Sequence, residues 1–138
     1  MNSSDLGQQG FRSWGAFNFA NERSLLAAAP TNKGVYTVRA KKPQQRRIGQ
    51  SDIMYFGKAT NYEGLKRRLT QYYHPGHSQT TNLEIRRQIE IAPDDFEVAW
   101  VTCESEEEAK RLEARLVEEF LSDHGENPPW NRNRPWGV

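Results

Sequence analysis

In the segment RLEARLVEEF, residues 111–120, one carboxylate is out of place. At about 100° per residue, Ala109, Leu112, Leu116, Val117, Phe120 and Leu121 line one side of a helix, and Glu113 falls near the middle of that side. Glu107, Glu108, Glu118 and Glu119 fall outside it. Desolvating a carboxylate is costly unless a cation or hydrogen-bond donors take it up, so an inward glutamate reads as half of a structural ion pair with Arg or Lys, or as part of a functional site. Other reactive residue types are placed less tellingly. His74 and His77 in HPGH have i, i+3 spacing but no cysteine partner, which fits turn residues better than metal ligands. Trp130 and Trp136, interleaved with Arg132 and Arg134, suit either stacking on bases or packing of a tail against the domain.

The elements that must position these residues follow from periodicity and punctuation. NERSLLAAAP reads as a short helix capped at Asn21 and stopped by Pro30, after a Gly/Ser/Asn-rich arm expected to be mobile. GVYTVRA (34–40) and IMYFGKA (53–59) are rich in β-branched and aromatic residues and read as strands, with the Lys/Arg/Gln/Pro/Gly stretch between them as a long hairpin connection. TNYEGLKRRLTQYY (60–73) opens with Thr60 and Glu63 in capping-box spacing, although Gly64 weakens the first turn and allows a start at Leu65; HPGH breaks this helix. A second helix over 82–91, a strand over 96–103 and a long helix capped by Ser105 and Glu108 and ending near His124-Gly125 complete the chain before a closing loop. The order is β-β-α-α-β-α, which predicts an α+β fold with a small three-stranded antiparallel sheet flanked by helices. Residues 1–30 are assigned to the arm with its short helix and 31–138 to one domain.

The 138 residues suit one modest core, and no segment approaches a membrane span. The first ten residues lack a basic and then apolar leader pattern, and Cys103 is the only cysteine, so a cytoplasmic setting without an internal disulfide is expected. A net charge of +1 hides a division along the chain. Residues 33–87 carry 12 Lys/Arg against three acids (Asp52, Glu63, Glu84), while residues 90–126 carry three Lys/Arg against 13 acids. Folded, such a chain makes either an ordinary solvated surface or a dipolar molecule with a basic face for phosphates.

GVY (34–36), YFG (55–57), GKATNYEGLKRRLTQYY (57–73), LEARLVEEF (112–120) and NPPWN (127–131) occur in the order found in GIY-YIG nucleases, and the sequence resembles that family from about Gly34 to Asn131. The arginine and leucine-glutamate helices are most similar to those of the bacterial excision-repair incision nuclease. The two signature tyrosines stand 19 positions apart, farther than in the family's compact hairpin, and about two extra residues precede the arginine helix, which leaves Arg67 and Arg68 to compete for one role. Helical phase favours Arg68, which lies on the border of the stripe Tyr62, Leu65, Leu69, Tyr72 and Tyr73, whereas Arg67 points away.

The resemblance implies a metal-dependent endonuclease hydrolysing DNA phosphodiester bonds. It implies that Glu113 holds a single Mg²⁺ or Mn²⁺, which one carboxylate can do when water and phosphate supply the other oxygens. Arg68 would engage the phosphate with charge-assisted hydrogen bonds. Tyr36 would serve as general base, and since a phenol of pKa near 10 is only about a thousandth ionised at neutral pH, Lys58 would favour anionic oxygen on either the reacting water or a phenol. Tyr55 would share the hydrogen-bond network of the reacting water, Tyr72 would orient the phosphate or Arg68, and Asn131 would tie the closing loop to the site. Taken singly, the strand tyrosines read as packing residues and Lys58 as a surface lysine. Sequence specificity is not visible in so small a chain, so a distorted DNA structure, a homodimer, a partner subunit or the N-terminal arm would have to supply it. The alternative is a nucleic-acid-binding module that keeps the fold without cleaving.

Overall fold

The computed structural model describes residues 1–76 and 79–131. β1 (Arg12–Ala16), β2 (Gly34–Gln45), β3 (Gln50–Ala59) and β4 (Phe96–Thr102) form one antiparallel sheet in the order β1-β4-β2-β3. The helices are α1 (Glu22–Ala28), α2 (Gly64–Tyr73), α3 (Thr80–Ile91) and α4 (Glu106–His124), with 3₁₀ turns at Ser3–Gln9 and Pro129–Asn131. The α+β class and the β-β-α-α-β-α order are as expected, with one strand more. RSWGA has no alternation to announce it; it becomes β1 by pairing with the outer edge of β4, Arg12 opposite Trp100 and Gly15 opposite Val98. The stretch before α1, expected to be a mobile arm, is packed: Leu6, Phe11 and Phe17 are buried core residues.

Alternation along β2 separates two layers. Tyr36, Val38 and Ala40 face α1, α2 and α3, in a core that includes Leu65, Leu69, Tyr72, Ile85 and Ile89. Val35 faces α4, where Ala109, Leu116, Val117 and Phe120 pack with Leu6, Phe11 and Phe56. Among the described residues no helix is long and apolar enough to cross a membrane.

Three local expectations change. The hairpin connection is short, because β2 and β3 run on to Gln45 and Gln50 and turn tightly, with Arg46 N–H donating to Gly49 O at 2.9 Å and Gly49 at φ +72°. The Thr60/Glu63 capping box does not form; Glu63 is left-handed at φ +62°, and the first α2 amides are taken up by the chain before β2, Leu65 N–H by Asn32 O and Lys66 N–H by Pro30 O, both at 2.9 Å. Gly64 is required there, since a Cβ would sit 2.1 Å from Asn32 O. Tyr62 consequently leaves the apolar stripe and is 81% exposed, and Leu121 is likewise outside the α4 stripe. α4 starts at Ser105 as read, with Ser105 Oγ accepting from Glu108 N–H at 3.1 Å, but the Glu108 carboxylate accepts from Glu104 N–H at 3.0 Å instead of closing the box; three acids stand in the first turn and left-handed Gly125 at its end.

Candidate active site

Tyr36 lies opposite Gly57 in the β2/β3 pairing. A Cβ at position 57 would stand 2.4 Å from the Tyr36 hydroxyl, so the missing side chain is what lets the Tyr36 ring cross the edge strand. Tyr55, two residues earlier on β3, places its ring 6.0 Å from that of Tyr36. From α2 come Arg68 and Tyr72, one turn apart. Arg68 Nε–H donates to Tyr36 Oη at 3.1 Å and Nη1–H to Gln71 Oε1 at 3.0 Å, while its guanidinium carbon is 5.0 Å from the centre of the Tyr72 ring. The hydroxyls of Tyr36 and Tyr72 share a short hydrogen bond. Arg67, the competing arginine, is exposed.

Electrostatically this cluster holds one cation among neutral phenols. Burial pushes the Tyr36 phenol above its usual range, Tyr55 adds to that, and Arg68 and Tyr72 only partly oppose it. Tyr72 is raised for the same first reason, burial. Burial alone would favour a neutral Arg68; the oxygens of Tyr36, Tyr72 and Tyr55 outweigh it, and the guanidinium stays charged.

Lys58 follows Gly57 and therefore points to the other face of the sheet, where its Nζ is 3.6 Å from Glu113 Oε2 on α4. Glu113 is 6% exposed. The cation hydrogen-bonded to Tyr36 is Arg68, whereas Lys58 pairs with the Glu113 carboxylate. Both faces meet at the sheet edge, where Lys58, Arg67, Arg68, Gln71 and Gln79 line a cleft of about 360 Å³. Asn131 closes the outer side of β3, its Oδ1 accepting from Phe56 N–H and its Nδ2–H donating to Phe56 O, both at 2.9 Å. Phe56 stands between Tyr55 and Gly57, so the clamp bears on the strand that carries the cluster.

Sequence reasoning missed Gln71 and Gln79. Gln71 had a signal, being three residues beyond Arg68 on one helix; Gln79 had none, because its place depends on how the chain leaves α2. His74 pairs with Glu22 at 2.8 Å, while His77 lies outside the described residues. Trp130 packs on Phe96, ring centres 4.8 Å apart; Arg132, Arg134 and Trp136 also lie outside the described residues.

Among the described residues no three His, Cys, Asp or Glu side chains gather into a metal cluster. What Glu113 offers is a single oxygen donor set, which fits a hard cation that completes its shell with water and phosphate and does not fit a softer, fully ligated ion. Lys58 competes for the same carboxylate.

No family model and no curated protein matches this sequence. Among solved structures, the GIY-YIG N-terminal endonuclease domain of UvrC from Thermotoga maritima is similar over 82% of this chain. Two tyrosine-to-phenylalanine variants of that domain, each bound to its catalytic divalent cation, match at 23% identity with TM-scores of 0.53 and 0.54, covering 98% and 97% of their chains. The magnesium-bound domain matches at 23% identity and a TM-score of 0.50, with 98% of its chain covered. The chain described here has the GIY-YIG endonuclease-domain fold.

Proposed function

We propose that this protein is a divalent-cation-dependent endonuclease that hydrolyses DNA phosphodiester bonds. The observation that carries the reading is the placement of Arg68, a charged guanidinium hydrogen-bonded to Tyr36 and lining, with Lys58, a cleft at the sheet edge next to buried Glu113. In hydrolysis a water oxygen forms a new bond to phosphorus, the bond to the leaving sugar oxygen breaks, the water loses a proton and the leaving oxygen gains one. Arg68 binds the non-bridging phosphate oxygens, and Tyr72 holds the guanidinium over its ring. Tyr36 is the candidate proton acceptor in its ionised form, after its own proton has left to solvent and a water has displaced Tyr72 or Arg68 from its oxygen. Tyr55 borders the same phenol, and Asn131 fixes the strand that presents Tyr55 and Lys58. Glu113 would hold Mg²⁺ or Mn²⁺, which when bound supplies neutralisation of the charge that builds on the phosphoryl oxygens. Lys58 pairs with the Glu113 carboxylate and positions it.

Cleavage of supercoiled plasmid, branched DNA and RNA, each with Mg²⁺ and with EDTA, tests the reading. Glu113→Gln is expected to lower Mg²⁺-dependent cleavage at least about 100-fold while DNA binding survives and unfolding free energy changes by less than about 1 kcal/mol, since the partner Lys58 reaches solvent. Unchanged cleavage by Glu113→Gln would sink the assignment. The pairing of Glu113 with Lys58 and the full burial of Tyr36 favour the second reading, a binding module without catalysis. Binding of DNA with no cleavage under any cation would establish that reading instead.

A further inference from the structure

Arg68 and Gln79 line two hollows. One is the cleft already described; the other, of about 310 Å³, is completed by Thr80, Thr81 and Asn82, the first turn of α3. The proposed chemistry makes no use of the second. Its chemistry is nonetheless one-sided. α3 runs for 12 residues with no acidic residue in its first turn and no side chain capping its start, because the Oε1 of Gln79 accepts from Gly76 N–H at 2.7 Å instead. Asn82 is 2% exposed, and its Nδ2 has no hydrogen-bond partner. One turn along the same helix, Arg86 carries another buried donor, Nε, without a partner. Leaving a buried donor unpaired costs about 1–3 kcal/mol, and such groups in folded proteins call for an acceptor. At the hollow itself, which Arg86 does not line, the α3 N-terminus, the Asn82 side chain and the Arg68 guanidinium match an anion with several acceptor oxygens.

We propose that the first turn of α3, with Asn82 and Arg68, is a second phosphate site that takes a phosphodiester adjacent to the one in the Lys58–Arg68 cleft. This assignment rests on the nuclease reading for the identity of the strand. Arg68 is the wall between the hollows, so a strand crossing it from Lys58 towards Asn82 presents successive phosphates to each. The second contact holds register without reading bases, and it orients the scissile bond relative to Glu113.

Thr80 is exposed at the first position of α3, where glutamate favours the helix but repels a phosphate. In EDTA, Thr80→Glu is expected to lower affinity for a 20-bp duplex about tenfold and to reduce the slope of log K against log salt by about 1, with a melting temperature equal to or above that of the wild type. Unchanged affinity and slope overturn the site. On the unsubstituted protein labelled with ¹⁵N, the Asn82 side-chain amide and the Thr80 backbone amide are expected to shift saturably with a thymidylate tetranucleotide and, more weakly, with inorganic phosphate. Resonances that move with neither probe overturn the site as well. Amide shifts in a protein that cleaves no nucleic acid support the phosphate site and sink the nuclease reading; cleavage with Thr80→Glu binding like wild type sinks the site and leaves the nuclease.

Discussion

Tyr36 poses a residue-scale conflict between burial and chemistry. Its phenol is neutral in the fold, and burial raises it further from ionisation. At every pH below the raised value the ionised fraction grows tenfold per unit, so if Tyr36 accepts the water's proton, log kcat/KM rises with a slope near one from pH 7 to 10 without levelling. Tyr36→Phe then flattens the profile; a plateau between pH 7 and 9 in the wild type would assign the base to another group. The same shift sets the alkaline limit of stability. Tyr36 and Tyr72 keep their protons when folded, while the unfolded chain releases them near pH 10, so the stabilisation is complete below that pH and is lost above it by about 1.4 kcal/mol per unit for each tyrosine. The inward position of Glu113 was legible because helical phase is fixed by geometry. Its partner was not, because Lys58 sits on a strand whose distance from α4 only the fold decides. Tyr62 shows the opposite failure. Its phase put it in the α2 stripe, but left-handed Glu63 turns the chain before the helix begins, and Tyr62→Ala is expected to change unfolding free energy by less than about 0.5 kcal/mol in urea titrations.

At the scale of elements, β3 is the edge strand of the sheet, paired with β2 on one side only. An edge strand with free N–H and C=O groups invites pairing with another chain, and Asn131 occupies both groups of Phe56. Asn131→Ala leaves these buried groups unsatisfied and is expected to cost about 2–4 kcal/mol by urea unfolding, with faster hydrogen exchange at the Phe56 amide than at Val38 on the inner strand. Cleavage is expected to fall with it, because Tyr55 and Lys58 ride on the loosened strand; exchange at Phe56 unaltered from wild type would refute the clamp. α4 was legible from its cap to its glycine, since those signals are local. β1 was not, because its strand identity comes from the edge of β4 rather than from its own residues. The hairpin was half legible: the tyrosines marked the strands, but the pairing with β3 is interrupted between Arg39–Ile53 and Gln44–Ser51 and resumes at the polar Gln44 and Gln45, which no apolar alternation announces.

On the scale of the whole molecule, the division of charge along the chain becomes a division across the sheet. α2 brings Lys66, Arg67 and Arg68, with no acid, to the layer that holds Tyr36, where α3 is balanced, Arg86 and Arg87 against Glu84 and Glu90. α4 brings Glu106, Glu107, Glu108, Glu118, Glu119 and Asp123 to the opposite layer. The sheet thus separates a face that attracts phosphates from one that repels them, and the cleft lies at the edge where the faces meet, so the acidic side limits how far a duplex can wrap. If four or five of the basic residues contact phosphates, log K against log salt has a slope near −4, by about 0.9 per contact. Arg87, exposed on α3 and outside the cleft, tests the face apart from the chemistry: with Arg87→Glu, affinity is expected to drop several-fold for every DNA sequence, with the slope reduced by about 1. Lys110→Glu makes the same charge change on the α4 side, where Lys110 pairs with Glu106 at 3.6 Å, and is expected to leave both affinity and slope as in the wild type. Equal losses in the two variants would mean that DNA responds to net charge alone and that the basic face does not orient it.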